Sequence, residues 1–454
     1  MISQVELRAV SAVGLVYITR MLGLFMILPV LALNGDQYIG ATTTTIGLAL
    51  GIYGLMQALL QVPFGKLSDR IGRKPVILMG LALFAAGSIL AALSESIQML
   101  IFARAIQGAG AVSAALLALL SECSREQNRS KLMAILGISI GLSFGLAMVL
   151  GPLLAAKWGI QSIFWLCVAL AAIGAVAITC LTPNLSLGLS SNIVSSQGDA
   201  DESGQQVLSG SSKQNNRAEL WRLNLGIFVL HAVQMSLWIA VPVILVENFE
   251  VAQSQHWKWY LLAVGGGFVC MVPLMQAFAK RNWYRSTLLV GIASIAVAQL
   301  LLSISDGFAL FIFGLLVFFW GFNLLEATLP SLVSRWVDDE NRGSAMGWYS
   351  SSQFLGTFVG GSAGGILVSQ YGLSAVFYFG FGLFIIWFTL ATKMRSLPNI
   401  KSFLLKDLNA EATEKLTKTV GIISIKNFQD QQEIFVKIDM DLVENQTLEI
   451  YQLK

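Results

Sequence analysis

The sequence predicts an all-α polytopic membrane protein: twelve spanning helices in two sets of six, followed by a small α+β appendage. Three observations predict it. Charged residues make up only 12% of the 454, where an average soluble domain carries roughly 25%, and 55% are hydrophobic. Lipid is the natural solvent for that surplus, and the mean hydropathy of +0.70 agrees. The apolar runs are long and continuous rather than alternating with period two, which excludes a membrane β-barrel. A polar stretch then divides the runs into equal sets.

A spanning helix needs about 20 mostly apolar residues. Such runs fall near 9–33, 45–64, 76–94, 98–121, 131–156 and 161–182, then near 222–246, 257–279, 286–303, 307–333, 343–369 and 372–393. The first exceeds the apolar core of a secretory signal, about 7–15 residues, and many similar runs follow it. It reads as a first span. Residues 184–219 are rich in Ser, Gly, Gln and Asn and read as a flexible linker. The expected domains are a bundle at 1–183, the linker at 184–219, a second bundle at 220–396 and a soluble domain at 397–454.

In that tail, Glu433–Asp439 alternates polar and apolar residues like a half-buried strand. Residues 403–408 and Ile422–Phe428 are further strand candidates, and 410–418 and 442–453 look helical, giving β-α-β-β-α. A disordered tail is the alternative.

Basic residues set the orientation. Lys66, Arg70, Arg73 and Lys74 follow the second run; Arg125, Arg129 and Lys131 follow the fourth. Lys213, Arg217 and Arg222 lie in or beside the central connection, Lys280, Arg281 and Arg285 after the eighth run, and Arg335 and Arg342 around the turn after the tenth. Only Lys157 and Lys258 fall on the other side. Even-numbered loops and both termini are therefore expected in the cytoplasm. The net charge of +3 is small and scattered, so no nucleic-acid partner is expected. The four cysteines form no Cys-x-x-Cys pair and there are two histidines, so neither a metal site nor a disulfide framework is suggested.

Polar residues inside hydrocarbon need a partner or a wet cavity, because an arginine there costs at least about 2.5–3.5 kcal/mol. The candidates are Arg20 in the first run, Arg104 with Gln107 at i+3 in the fourth, His231 with Gln234 in the seventh, and Asn323 with Glu326 in the tenth. Arg20 or Arg104 is a conceivable partner for Glu326. Such a pair either binds protons or substrate, or is a buried ion pair fixing helix register. Arg104 has the alternative of snorkelling outward, and His231 that of a satisfied structural histidine. Tyr53, Gln57, Tyr349 and Gln353 add polar points. Gly137, Gly141 and Gly145 recur every fourth residue before Gly151 and Pro152, a pattern that lets helices approach closely.

The most specific motif is Gly65-Lys66-Leu67-Ser68-Asp69-Arg70-Ile71-Gly72-Arg73-Lys74-Pro75. A tight basic turn requires neither Asp69 nor the glycines. Gly65 permits a close helix approach, and Asp69 and Arg73 can exchange partners at the membrane edge, which makes the loop a latch between conformations. It resembles the signature loop of the major facilitator superfamily in nearly every defining position. Arg104-Ala105-Ile106-Gln107-Gly108-Ala109-Gly110 resembles the second family motif, and Arg20 to Val30 the leading motif of the twelve-span drug:proton antiporters. The glycines of the fifth run resemble the third motif, departing from it at Leu153-Leu154-Ala155-Ala156. Stretches 20–31, 51–75, 121–129, 148–152, 349–356 and 436–439 are similar to the YajR-type multidrug efflux family.

That resemblance implies a major facilitator fold with a ferredoxin-like C-terminal domain, in a bacterial plasma membrane. It implies a monomeric transporter rather than an enzyme, needing no cofactor, that exports small hydrophobic or amphiphilic compounds against protons by alternating access. It further implies a latch of Gly65, Asp69, Arg70, Gly72, Arg73 and Glu122, with Glu122 completing a charge relay, and a proton-coupling role for Arg104. The rival readings are an importer or uniporter of a metabolite on the same fold, and a membrane sensor acting through its tail.

Overall fold

The computed structural model describes residues 3–124, 126–182, 213–280, 283–337, 342–394, 400–406, 422–428 and 433–439. The expected linker up to residue 212, the expected tail helices at 410–418 and 442–453, and Arg125 and Arg281 lie outside them.

Helix α1 (Gln4–Phe25) opens with a reciprocal cap, in which Glu6 N donates to Ser3 Oγ at 3.2 Å and Ser3 N to Glu6 Oε2 at 2.7 Å. It breaks at Met26 and Ile27, and α2 (Leu28–Asn34) continues the same span with Pro29 in its first turn, where no N–H is missed. Then come α3 (Thr43–Ile71) and α4 (Arg73–Ala92). The fourth expected span is two helices, α5 (Ile97–Ala109) and α6 (Ser113–Glu122), separated at Gly110, whose Cα side lies against the Gly80 carbonyl oxygen. The first set ends with α7 (Glu126–Trp158) and α8 (Gln161–Leu181).

The second set is α9 (Lys213–Glu247), α10 (His256–Lys280), α11 (Tyr284–Ser303), α12 (Phe308–Arg335), α13 (Arg342–Tyr371) and α14 (Ala375–Ala391). Helix α9 takes in residues 213–219 of the expected linker, and an Arg222–Glu219 ion pair at 2.6 Å supports its first turns. Among the described residues, ten helical segments are long and apolar enough to cross a membrane. The eleventh and twelfth expected spans exist as helices but fall outside those ten. Helix α13 has the length yet is diluted by Gly and Ser, and α14 is only 17 residues long.

Glycines decide which helices touch. Gly356, Gly360 and Gly364 on one face of α13 lie on the backbone of Phe228 and Ala232 and on Ser236 of α9, where any Cβ would collide. On another face of α13, Gly361 and Gly365 meet Gly47 of α3, and Phe358 and Phe354 meet Gly51 and Gly54. These last contacts join the two helix sets. So do α7 against α10 and α2 against α9.

Every one of those joins lies away from the side that carries residues 65–75. On the signature side the sets separate: Gly137, Gly141 and Gly145 of α7, and Gly343 and Gly347 of α13, have nothing within 4 Å of a would-be Cβ. The packing expected for the three α7 glycines is thus absent in this conformation, because no partner helix stands opposite them. Gly151 alone of that pattern is packed, on the Met26 backbone, one residue before Pro152. The molecule is closed on one side and open on the other.

Gly72 is the only residue between α3 and α4, at φ 97° and ψ 157°. That region is essentially reserved for glycine, and another residue held there is strained by about 1–3 kcal/mol. Gly72→Ala is expected to lower the melting temperature of purified protein and to disorder the loop; an unchanged melt would show that the turn relaxes without strain.

Three strands follow the helices: β1 (Ile400–Lys406), β2 (Ile422–Phe428) and β3 (Glu433–Asp439). Their order is β1-β3-β2, with β3 antiparallel to both, so β1 and β2 run parallel with β3 between them. The second and third match the expected spans, and the first begins earlier than the expected 403.

Candidate functional site

The signature loop is built around Arg73. Its Nε donates to Glu122 Oε1 at 2.8 Å, and its Nη1 donates to Ser68 Oγ at 2.7 Å and to Asp69 Oδ1. Ser68 Oγ in turn donates to the Gly65 carbonyl at 2.7 Å. One guanidinium therefore ties the end of α3 to the start of α4 and the end of α6, through the planar fork that arginine alone provides. Lys74 Nζ reaches the Thr182 carbonyl at 2.6 Å, closing the end of α8. Arg70 is exposed. Close by in sequence terms, α1 and α7 are fastened by Asn128 Nδ2, which donates to both oxygens of buried Glu6 at 3.0 and 3.1 Å.

Inside the first helix set, the predicted arginines find hydroxyl, amide and aromatic partners. Fully buried Arg104 donates from Nη1 to Gln107 Oε1 at 2.5 Å, and its guanidinium lies 4.9 Å from the Tyr53 ring centre. Gln107 Nε2 donates on to Ser88 Oγ at 2.8 Å. Arg20 Nη2 and Gln57 Nε2 both donate to the Tyr53 hydroxyl at 3.3 Å. Arg104 is buried rather than snorkelling. Yet Arg20 Nε and Nη1 and Arg104 Nη2 have no hydrogen-bond partner, which leaves buried cationic donors unmet.

In the second set, His231 Nδ1 lies 3.2 Å from the Ile227 carbonyl, and its Nε2 lies 2.8 Å from Gln353 Nε2. The same Gln353 nitrogen donates to Glu326 Oε1 at 3.3 Å, and His231 Nε2 stands 3.8 Å from Glu326 Oε2. Glu326 Oε2 and the Tyr349 hydroxyl have no hydrogen-bond partner. The Glu326 side chain is 39% exposed, although its Oε2 is buried. Neither arginine pairs with it, contrary to the expectation; the arginines are committed within their own helix set. Asn323 is also not with Glu326. Its Nδ2 reaches the Val264 carbonyl of α10 at 3.4 Å. Gln234 is buried one turn beyond His231.

Rings close the site toward the sealed side. Phe25 of α1 and Phe144 of α7 stand edge to face at 4.8 Å, and Phe144 meets Phe319 and Phe322 of α12 at 6.1 and 6.4 Å. Phe322 also packs its edge on His231 at 5.7 Å and precedes Glu326 by one helical turn. Contacts thus cross from one set to the other directly above the polar groups.

In the sequence Tyr53, Gln57 and Gln353 stand out only as polar points without named partners, and Ser88 and Ser68 carry no assigned role. The spacing Tyr53-x-x-x-Gln57 and Tyr349-x-x-x-Gln353, polar pairs one turn apart in otherwise apolar helices, was the signal that marks the first three.

Two helix sets meeting around buried, incompletely partnered ionisable groups define a multi-pass membrane transporter. The pattern of the Major Facilitator Superfamily matches residues 13–207 and 223–428, and the chain belongs to that family. It is 41% identical to the inner membrane transport protein YajR of Escherichia coli over 441 residues, 96% of this chain and 94% of that one. It is 26% identical to the multidrug resistance protein MdtL of Shigella dysenteriae over 293 residues, 63% of this chain and 70% of that one. The crystal structure of the human organic anion transporter MFSD10 (TETRAN) superposes with a TM-score of 0.61 at 21% identity, covering 85% of this chain and 99% of that chain, a likeness of fold. The chain is a transporter, not an enzyme.

Proposed function

We propose that this transporter exports small hydrophobic or amphiphilic compounds in exchange for protons, by alternating access of the two helix sets. The observation that carries the reading is the Glu326–Gln353–His231 cluster: two titratable groups joined by one amide, inside the membrane, on a gap open to a single side. Arg20 and Arg104, buried within the first helix set on Tyr53 and Gln107, supply fixed positive charge on that side of the molecule. The aromatic ceiling of Phe25, Phe144, Phe319 and Phe322 suits an apolar guest. The likeness to a multidrug resistance protein favours export over import.

In this reading all twelve helical segments span the inner membrane of a bacterium, the signature side and both termini are cytoplasmic, and the chain works as a monomer among lipids. The domains divide at 1–183, 184–219, 220–396 and 397–454, and the last forms a ferredoxin-like α+β unit around the three strands. Gly65, Asp69, Arg70, Gly72, Arg73 and Glu122 act as the latch. Gly137, Gly141 and Gly145 find their partner helix only in the state closed on the signature side.

Everted vesicles test the proposal. With an acid interior, a fluorescent amphiphile is expected to enter the vesicles while the acid gradient dissipates, and a protonophore is expected to stop both. Uptake indifferent to the protonophore would refute proton exchange.

A further inference from the structure

We propose that Gln353 is a positioning residue whose amide direction ties the proton state of His231 to that of Glu326. This deepens the proton-coupled reading of the same cluster and rests on it.

The geometry assigns each hydrogen. Gln353 Nε2 lies within hydrogen-bond distance of Glu326 Oε1, at 3.3 Å, and of His231 Nε2, at 2.8 Å. A carboxylate oxygen accepts only, so it holds the NH₂ end of the amide toward itself. That end carries two hydrogens, and the second points at the imidazole. His231 Nε2 must therefore accept, and the ring hydrogen sits on Nδ1. The Ile227 carbonyl, 3.2 Å from Nδ1, requires the same answer independently, since a carbonyl can only accept. A glutamate fixes an amide, and the amide fixes a tautomer.

The reverse orientation defines a second state. When a proton settles on Glu326 Oε1, that oxygen becomes a donor and the amide turns to offer its own oxygen. The same oxygen then faces His231 Nε2, which must donate in its turn. Nδ1 is still held as a donor by Ile227, so the ring takes up a second proton from the aqueous side and becomes an imidazolium. One proton enters on the carboxylate and one on the ring, and the amide makes the two uptakes cooperative.

The packing says which part moves. Gly356, Gly360 and Gly364 seat α13 on the backbone of α9, so His231 and Gln353 travel together. Glu326 belongs to α12, which is joined to both by far less contact. The variable joint is Glu326 against the His231–Gln353 pair. Because α13 also carries Gly361 and Gly365 against α3, the pair sits on a helix that registers the relative position of the two sets.

The chain has only two histidines, so the full-length protein labelled with ¹⁵N-histidine in detergent gives two imidazoles to assign, the second being His256. His256 is an internal reference of opposite sign. Its Nε2 lies 3.1 Å from the Val251 carbonyl and must carry the hydrogen, while Nδ1 accepts from the Tyr260 hydroxyl at 3.2 Å. At neutral pH the wild type is expected to show His231 protonated on Nδ1 and His256 on Nε2. Gln353→Glu puts an acceptor-only group against His231 and, with Ile227 still holding Nδ1 as a donor, is expected to protonate both nitrogens, leaving His256 unchanged. Glu326→Leu removes the group that fixes the amide and is expected to replace the single His231 form by a mixture of the Nδ1-protonated and the doubly protonated ring, since Ile227 holds the Nδ1 hydrogen in both. A wild-type His231 protonated on Nε2, or a His231 form indifferent to both substitutions, would overturn the inference. The readout needs no transport, so a chain with these tautomers that exchanges no protons in vesicles would refute the transport reading and leave the amide link standing.

Discussion

Glu326→Gln is expected to uncouple transport from protons while leaving the protein folded. The substitution keeps size and keeps an oxygen for Gln353 to donate to at Oε1, so stability should change by no more than about 1 kcal/mol. What disappears is the carboxylate that accepts from Gln353 beside His231, away from the ion-paired Glu219 at the start of α9. Coupling free energies between two ligands of a transporter-sized switch are about 1–3 kcal/mol, so gradient-driven accumulation should fall by about 5–150-fold. Exchange of labelled for unlabelled compound at equal pH requires no net proton movement and should survive. Accumulation in everted vesicles at the wild-type level would remove Glu326 from the mechanism.

The second large effect concerns packing. A Cβ on Gly361 would meet the Gly47 carbonyl oxygen at 2.6 Å and the Gly51 Cα at 2.9 Å, both backbone atoms that cannot swing aside. Gly361→Val therefore wedges α13 from α3 on the sealed side. Overpacking of this kind costs about 1–3 kcal/mol, charged only to the conformation in which these helices touch. The balance between the two conformations should move by about 5–150-fold toward the one open on the sealed side. A cysteine in place of Phe319, which is buried in ring contact with Phe144 of the other helix set, should then react faster with a membrane-impermeant thiol reagent. An unchanged rate would mean that the glycine contact does not hold the seal. The α9 face of α13 carries different glycines, so the second helix set itself should remain intact.

Much of this was legible in the sequence. Hydropathy over about 20 residues locates spans because a lipid-exposed backbone must satisfy its own hydrogen bonds. The signature motif placed Asp69 and Arg73, and the family resemblance placed Glu122 at the end of the fourth span; the structure joins all three through one guanidinium. The buried polar residues were also found, since arginine in an apolar run has few innocent explanations. Their partners were not. Pairing Glu326 with Arg20 or Arg104 needs the relative rotation of helices from different sets, which hydropathy leaves free. Helix α12 turns Asn323 toward α10 and Glu326 toward α13, three residues apart yet on separate contacts. The α7 glycines failed for another reason. Their spacing reports an ability to pack, while the conformation decides whether a partner is present. The break at Gly110 carries no proline and is visible only once neighbouring backbones are in place, whereas Pro29, unable to bond the Phe25 carbonyl, marks the break at Met26.

Paired distances decide whether the two helix sets rock about an interior proton site. Spin labels replace exposed Val62 and Trp348 on the signature side, and Trp158 and Ser254 on the sealed side, after Cys123, Cys167, Cys180 and Cys270 are substituted. Across a pH titration the two distances are expected to change oppositely, the signature-side one shortening as the other lengthens, and Glu326→Gln is expected to lose that response. Distances that lengthen together, or that stay fixed at every pH, would contradict the rocking.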